Sequence, residues 1–394
     1  MASKRSQEEY TDLEKEIDIE EFRVSILRYF SAIPDPRQEC NLTYRLEYIF
    51  FIILSAVLAG ANSINQIVVF SKAKAQWIKN LIPIDTIPSY GIFWWTLVRI
   101  KPEFLRCLLS EWLKTLPEKL RDQVLALDGK CLRGTQNSAT LNQTLHLVSL
   151  FAVENGLVLA QQPVENKSNE ITAIPKILDM IDIQGAIITS DAMGCQKDIA
   201  GKICEKGADY ILALKGNQES LADEVENYFN QAEAINFEGV QCDAVGSKDD
   251  NHGRIEKREV YATEDIDWLP QKDMWRNLKS IIMVKSERLL PGMTPTVEKR
   301  YYITSLPASA PKIGRAIRKH WGIENNLHRQ LDVNFSEDDS VVNTGYAAEN
   351  FAIFRRLTLN MLGSGKGLLE RRKKAAWNED YLTEIVMKFF IKFF

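Results

Sequence analysis

The chain is poor in the residues that build transition-metal sites. It holds four histidines and six cysteines in 394 residues. Cys40, Cys107, Cys131, Cys195, Cys204 and Cys242 are scattered, and none forms a Cys-x-x-Cys pair. This argues against zinc and suits a reduced, cytoplasmic protein. No membrane span is expected either. The strongly apolar stretch Tyr48–Ala61 falls short of the roughly 20 residues a bilayer needs, and reads as a buried helix. The polar, acidic start is not a signal peptide. Gly363-Ser364-Gly365-Lys366-Gly367 lacks the Gly-Lys-Ser/Thr ending and preceding strand of a nucleotide loop, which excludes that site. Internal repeats and low-complexity tracts are also missing. Finally, there is no excess of positive charge: the formal net charge is −4. That does not advertise a nucleic-acid partner, but binding depends on where charge sits.

Here the charge is polarised. The first 21 residues carry eight acids and three bases, whereas Lys299–Lys374 carries fourteen Lys/Arg against seven Asp/Glu. The length allows two or three domains. Residues 1–20 read as an acidic lead-in. Residues 21–120 read as helical: Phe22, Ile26, Tyr29 and Phe30 recur at helical spacing, and the run from Phe93 to Trp112 reads as one more helix. The texture changes at Val124. Val124–Leu127, His146–Val153 and Leu157–Val164 read as strands, with Asn155-Gly156 as the hairpin turn between the last two. Ile174–Ile181 reads as a helix, Ala186–Thr189 as a strand, Lys197–Lys206 as a helix and Tyr210–Leu214 as a fifth strand. That order is the order of an RNase H-like core, placed over 121–239. Residues 240–308 read as a β-rich insertion with strands at Arg258–Ala262, Leu278–Val284 and Lys299–Ile303. Residues 309–394 complete the core, beginning with a helix from Lys312 to about Leu331 and ending in a basic segment.

Three acids stand out within this α/β frame. Asp128, in Leu127-Asp128-Gly129-Lys130, and Asp191, in Thr189-Ser190-Asp191-Ala192, sit where apolar, β-prone runs end. In the RNase H-like order those two strands are neighbours, so the carboxylates lie side by side. Glu324, in His320-Trp321-Gly322-Ile323-Glu324-Asn325, sits at helical spacing among basic residues. Three carboxylates suit two hard divalent cations, which need oxygen ligands and negative charge. Such a centre performs phosphodiester chemistry: one ion activates water or a 3′-hydroxyl, the other stabilises the leaving oxygen. An acid at a strand end is also often a turn cap, and Asp332, Glu337, Asp338 and Asp339 compete with Glu324 for the third place. Lys130, Arg133, Lys215, Arg254, Arg315, Arg318, Lys319, His328 and Arg329 are candidate DNA contacts, with ordinary solvated surface roles as the alternative. His320 and His328 lie four residues either side of Glu324, on one helical face. Trp321 is a base-stacking or core residue.

These blocks, in this order, resemble the DDE-class transposases of insertion sequences, in particular the H-repeat-associated subgroup. Phe30-Ser31-Ala32-Ile33-Pro34-Asp35-Pro36-Arg37 resembles the subgroup's N-terminal region. Leu214-Lys215-Gly216-Asn217-Gln218 accompanies the second acid, His252–Arg258 resembles a piece of the insertion, and Leu331–Asp338 follows the third acid. Two positions depart from the pattern: Arg329 follows His328 where an aromatic is common, and Leu331 stands where a lysine would be sought. The resemblance implies catalytic and metal-ligating Asp128, Asp191 and Glu324, with Mg2+ (or Mn2+), two ions, as cofactor. It implies DNA, both element ends and target, as substrate, a homodimer in the DNA complex and a place at the nucleoid. Two alternatives stay open: a catalytically idle DNA-binding descendant, and a nuclease of the same fold without strand transfer.

Overall fold

The computed structural model describes residues 18–37, 42–114, 120–135, 144–164, 170–251, 254–291 and 294–391. Most of the acidic lead-in and His252 lie outside them. The chain packs as two units: a helical one (Met1–Leu116, Arg133–Thr144, Leu331–Phe394) and one built on a sheet (Pro117–Leu132, Leu145–Gln330).

The helical unit opens with α1 (Ile19–Phe30), capped by Asp18, whose carboxylate accepts the Glu20 N–H at 2.9 Å. Its apolar face, Phe22, Ile26, Tyr29 and Phe30, is buried. In α2 (Leu46–Leu58) every residue but Glu47 is buried. Its apolarity therefore belongs to the centre of a helical core. Among the described residues no helix is long and apolar enough to cross a membrane. Then come α3 (Ile64–Ala73), α4 (Ala75–Leu81), α5 (Tyr90–Arg99) and α6 (Pro102–Lys114). The single helix read over Phe93–Trp112 is in fact two. Pro102 has no N–H to donate and disfavours helical backbone at Lys101, so it starts a new helix.

The sheet unit contains β1 (Val124–Leu132), β2 (Leu145–Ala152), β3 (Leu157–Pro163), α7 (Ala173–Met180), β4 (Ile187–Ser190), α8 (Lys197–Glu205), β5 (Asp209–Leu214) and α9 (Glu219–Ala234). It continues with β6 (Asp243–Asn251), β7 (Arg254–Thr263), β8 (Ser280–Leu289), β9 (Thr296–Thr304) and α10 (Ala310–His320). All nine strands join one sheet in the order β3-β2-β1-β4-β5-β9-β8-β7-β6. β1 with β4 and β4 with β5 are parallel, each reached by a crossover through a helix; the other pairs are antiparallel. Gly156 takes the β2–β3 turn at φ +67°, a conformation glycine adopts without strain. The sequence reading missed β6. Its run Asp-Ala-Val-Gly-Ser-Lys-Asp-Asp-Asn has almost no apolar alternation, because it is the outermost strand and charge there discourages further pairing. α10 buries Ile313, Ala316 and Ile317 against Val260, Ala262, Ile282, Val284 and Tyr302.

The chain ends in α11 (Arg329–Phe335), α12 (Ala347–Leu362), α13 (Leu368–Trp377) and α14 (Glu379–Phe390). From Leu331 onward it belongs to the helical unit. There Phe390 is fully buried, its ring within 6.0 Å of those of Phe22, Tyr29, Phe30 and Phe51. Phe389 stacks on Trp112 at 6.0 Å. We expect Phe390→Ala to cost about 3–5 kcal/mol, through lost transfer energy plus the cavity left behind. Urea unfolding of the two proteins measures it.

Candidate active site

The β1–β4 ladder ends at Leu127 opposite Ser190. Asp128 and Asp191 are thus the next residues on two adjacent parallel strands. β1 runs on to Leu132 against β2, so Asp128 lies within a strand rather than at its end. Asp191 caps the turn Ala192–Gly194, accepting the Met193 and Gly194 N–H groups at 3.0 and 3.4 Å. A Cβ on Gly194 would stand 2.0 Å from the Ser190 hydroxyl, so only glycine lets the turn close. The loop after β5 holds that turn in place. The Gln218 side-chain amide donates to the Cys195 carbonyl at 3.0 Å, and the Asn217 amide donates to the Ala192 carbonyl. The Lys215-Gly216-Asn217-Gln218 block therefore has a physical role: it fixes the loop that carries Asp191.

Glu324 reaches the pair by an irregular route. The continuous helix read over Lys312–Leu331 is broken. α10 stops at His320, and Glu324–His328 winds as a π-helical turn before α11 begins. Such turns are rare and concentrate at functional sites. His328 is buried, its Nδ1 3.2 Å from Glu324 Oε2 and 3.6 Å from Asp128 Oδ2. Asp128, Glu324 and His328 offer one ligand atom each, all within 4.8 Å of one another. His320 Nδ1 lies 2.9 Å from the Thr189 hydroxyl. Burial, reinforced by His328, pushes His320 down to about 4, so it is neutral at pH 7.

The electrostatics have one dominant feature. Burial, then the neighbouring Asp191 carboxylate, push the Asp128 carboxyl up to about 7. Asp191 is also raised, by burial and then by Glu170. Acids crowded so that they hold one another's protons are acids a divalent cation would relieve. With carboxylate oxygens as the main donors, the set fits a hard cation, and His328 adds one nitrogen.

The remaining sequence candidates fall as follows. Lys130 is buried on β1, two residues past Asp128 and on the same face. Lys215 lines a cavity of about 420 Å3 together with Asp128, Asp191, Glu324 and Trp321. Arg315 is exposed on α10. Arg318 and Lys319 make ion pairs with Asp249 at 2.7 Å and Glu154 at 2.6 Å. Arg329 is exposed at the start of α11. Arg133 belongs to the helical unit and lies 3.7 Å from Asp338. Arg254 is the first residue of β7. His328, read as a DNA contact, is instead buried between two of the acids. The sequence reading also missed Glu170, whose carboxylate lies 3.2 Å from His146 Nε2. A Cβ on Gly129 would stand 1.9 Å from Glu170 Oε1. Glycine inside a strand signals such close approach, and that was the available clue.

Comparison with known proteins agrees on one family. Residues 119–361 match the family model described as "Transposase DDE domain", and residues 27–113 match the one described as "DDE_Tnp_1-associated". "Putative transposase YncI" of Escherichia coli O157:H7 is 36% identical over 370 residues, covering 92% of this chain and 94% of that one. "H repeat-associated putative transposase YhhI" of Escherichia coli K12 is 35% identical over 371 residues, covering 92% and 97%. A solved piggyBac transposase synaptic complex with hairpin DNA shares 10% identity at a TM-score of 0.40, covering 93% of this chain and 78% of that chain, too distant to bear on function.

Proposed function

The chain belongs to the DDE transposases, in the H-repeat-associated subgroup, and we propose that it cuts DNA at the ends of a mobile element and joins the freed 3′-hydroxyl to target DNA. The observation that carries this reading is the placement of Asp128 and Asp191 just past the last paired residues of adjacent parallel strands, with Glu324 beside Asp128. The strand order β3-β2-β1-β4-β5 supports an RNase H-like core. On this reading 240–308 is an insertion that extends the core sheet through β9, and 309–394 supplies the third acid and the basic segment.

Asp128, Asp191 and Glu324 would hold divalent cations, Mg2+ by preference, two in number. Bound there, the cations would activate the attacking oxygen and neutralise charge on the leaving one. The protein's own groups prepare that position. The Met193 and Gly194 N–H groups orient Asp191, while the Gly129 N–H, at 2.9 Å, orients Asp128. His328 holds Glu324 toward Asp128, and neutral His320 braces Thr189, two residues before Asp191. Lys215 supplies positive charge beside Asp191. Hydrolysis and strand transfer are both in-line displacements at phosphorus, so one site serves both. Because two element ends must be held together, a homodimer on DNA follows, acting in the cytoplasm at the nucleoid.

Labelled element-end DNA, incubated with the protein and Mg2+, tests the proposal. Nicked and joined products are expected. Nicks without joined products would reduce the protein to a nuclease, and no cutting at all would leave a DNA-binding relative.

A further inference from the structure

The sheet face that carries α10 changes character along its strands. Beneath the helix it is apolar. Farther out, the register sets Arg258, Ser286 and Glu298 side by side across β7, β8 and β9, and Glu256 beside Arg288 in the next row. This charged sector floors a trench of about 590 Å3, whose wall is the end of α10 with Arg318, Lys319 and Trp321. The trench shares Arg300, Tyr302, Ile317 and Trp321 with the cavity that holds the three acids. It therefore opens at the site of the chemistry.

Five cations line the trench, Arg258, Arg288, Arg300, Arg318 and Lys319, against two acids, Glu256 and Glu298, in a chain whose net charge is −4. Neighbouring strands lie about 4.8 Å apart, so the cations of β7, β8 and β9 spread over about 10 Å. An array of that length meets more than one of the charged phosphates of a nucleic-acid strand, and suits a strand better than a single anion. Trp321 is half-exposed, with the Arg300 guanidinium 5.0 Å from its ring centre. Cations along a groove with an aromatic side chain at its mouth form a surface that tracks an unpaired strand. The cations are also restrained from within. Arg258 pairs with Glu256, Arg300 with Glu298 at 2.8 Å, Arg318 with Asp249 and Lys319 with Glu154.

We propose that this trench takes one unpaired DNA strand leading away from the scissile phosphate, and that Glu256 and Glu298 act as built-in competitors which its phosphates displace. The inference deepens the DNA-cutting reading and rests on it. Its distinctive consequence is a gain of affinity on removing acids that lie outside the metal site.

Anisotropy titrations of the full chain, over a salt series and without divalent cations, test it on a forked DNA with an unpaired arm and on the matching duplex. Arg258→Ala with Arg288→Ala should weaken fork binding at least about tenfold. It should also flatten the log–log salt slope by about 1.4, at about 0.7 for each single-strand phosphate that no longer meets a cation. Arg258→Lys with Arg288→Lys keeps the charge and should keep the slope. Glu256→Gln with Glu298→Gln should tighten fork binding several-fold; the Arg300–Glu298 pair is largely exposed, and such pairs contribute little to folding. Circular dichroism checks each variant. An unchanged slope in the folded double alanine variant, or weaker binding in the glutamine variant, overturns the proposal, and an equal loss on duplex and fork overturns the strand assignment. Mg2+-dependent cutting by the wild type alongside either result isolates the failure to the trench. Absence of cutting by the wild type would instead sink the reading beneath it.

Discussion

Asp128→Asn is expected to lower Mg2+-dependent strand cleavage by more than about 100-fold while DNA binding holds or strengthens. Losing a group that merely orients a metal ligand typically costs about 10–100-fold, so losing a central carboxylate should cost more. The fold should tolerate the change. The Asp128 Oδ1 that accepts the Gly129 N–H at 2.9 Å has an equivalent in asparagine. Binding should not suffer, because a negative charge disappears from beside the proposed path of the phosphates. Cleavage of a labelled element end, measured beside its binding isotherm, separates the two effects. If both collapse in a variant that is still folded, Asp128 serves DNA recognition or the architecture of the site, and the catalytic assignment fails.

What could be read from the sequence, and what could not, divides along physical lines. Asp128 and Asp191 were legible because each follows a run of buried, β-prone residues, Val124–Leu127 and Ile187–Ser190. Buried strands in a parallel ladder leave a near-continuous apolar signature. Glu324 was legible as a motif but not as a conformation. The apolar spacing around it passes for an unbroken α-helix, and nothing in residue periodicity announces a π-helical turn at Glu324–His328. That turn sends His328 inward to the acids. β6 was invisible because a charged outer strand is defined by its partner's backbone, not by its own side chains. Glu170 was invisible for a related reason. It joins Asp128 and Asp191 only through tertiary folding, and its one trace in the sequence is the glycine at 129 that makes room for it. The Pro102 break, by contrast, was there to be read.

Stability without divalent cations should fall as pH rises from about 4 to 7, and Asp128 should be a main cause. Its carboxyl is displaced from an ordinary 3.8 up to about 7 by burial and by Asp191. Between those values the folded protein keeps a proton that the unfolded chain has released. The folded state then binds more protons, so stability declines with rising pH and levels off above about 7. At about 1.4 kcal/mol per pH unit of displacement, the loss is on the order of 4 kcal/mol. Asp191, raised in the same direction, adds to it. Carboxylates held low by cations, such as Glu233 beside Lys285 and Lys299, pull the opposite way, so the informative quantity is the difference between wild type and Asp128→Asn. Asparagine mimics the protonated acid. The variant should match the wild type near pH 4 and exceed it by several kcal/mol at pH 8. Mg2+ requires the deprotonated ligand, so it should raise the wild-type melting temperature strongly at pH 8, weakly at pH 5, and little in the variant at either. Urea and thermal unfolding at pH 4–8, with EDTA or with Mg2+, give both comparisons. A variant that tracks the wild type across the whole range would mean that Asp128 titrates as an ordinary carboxylate, and that the burial and crowding of acids on which the proposed metal site rests are not there.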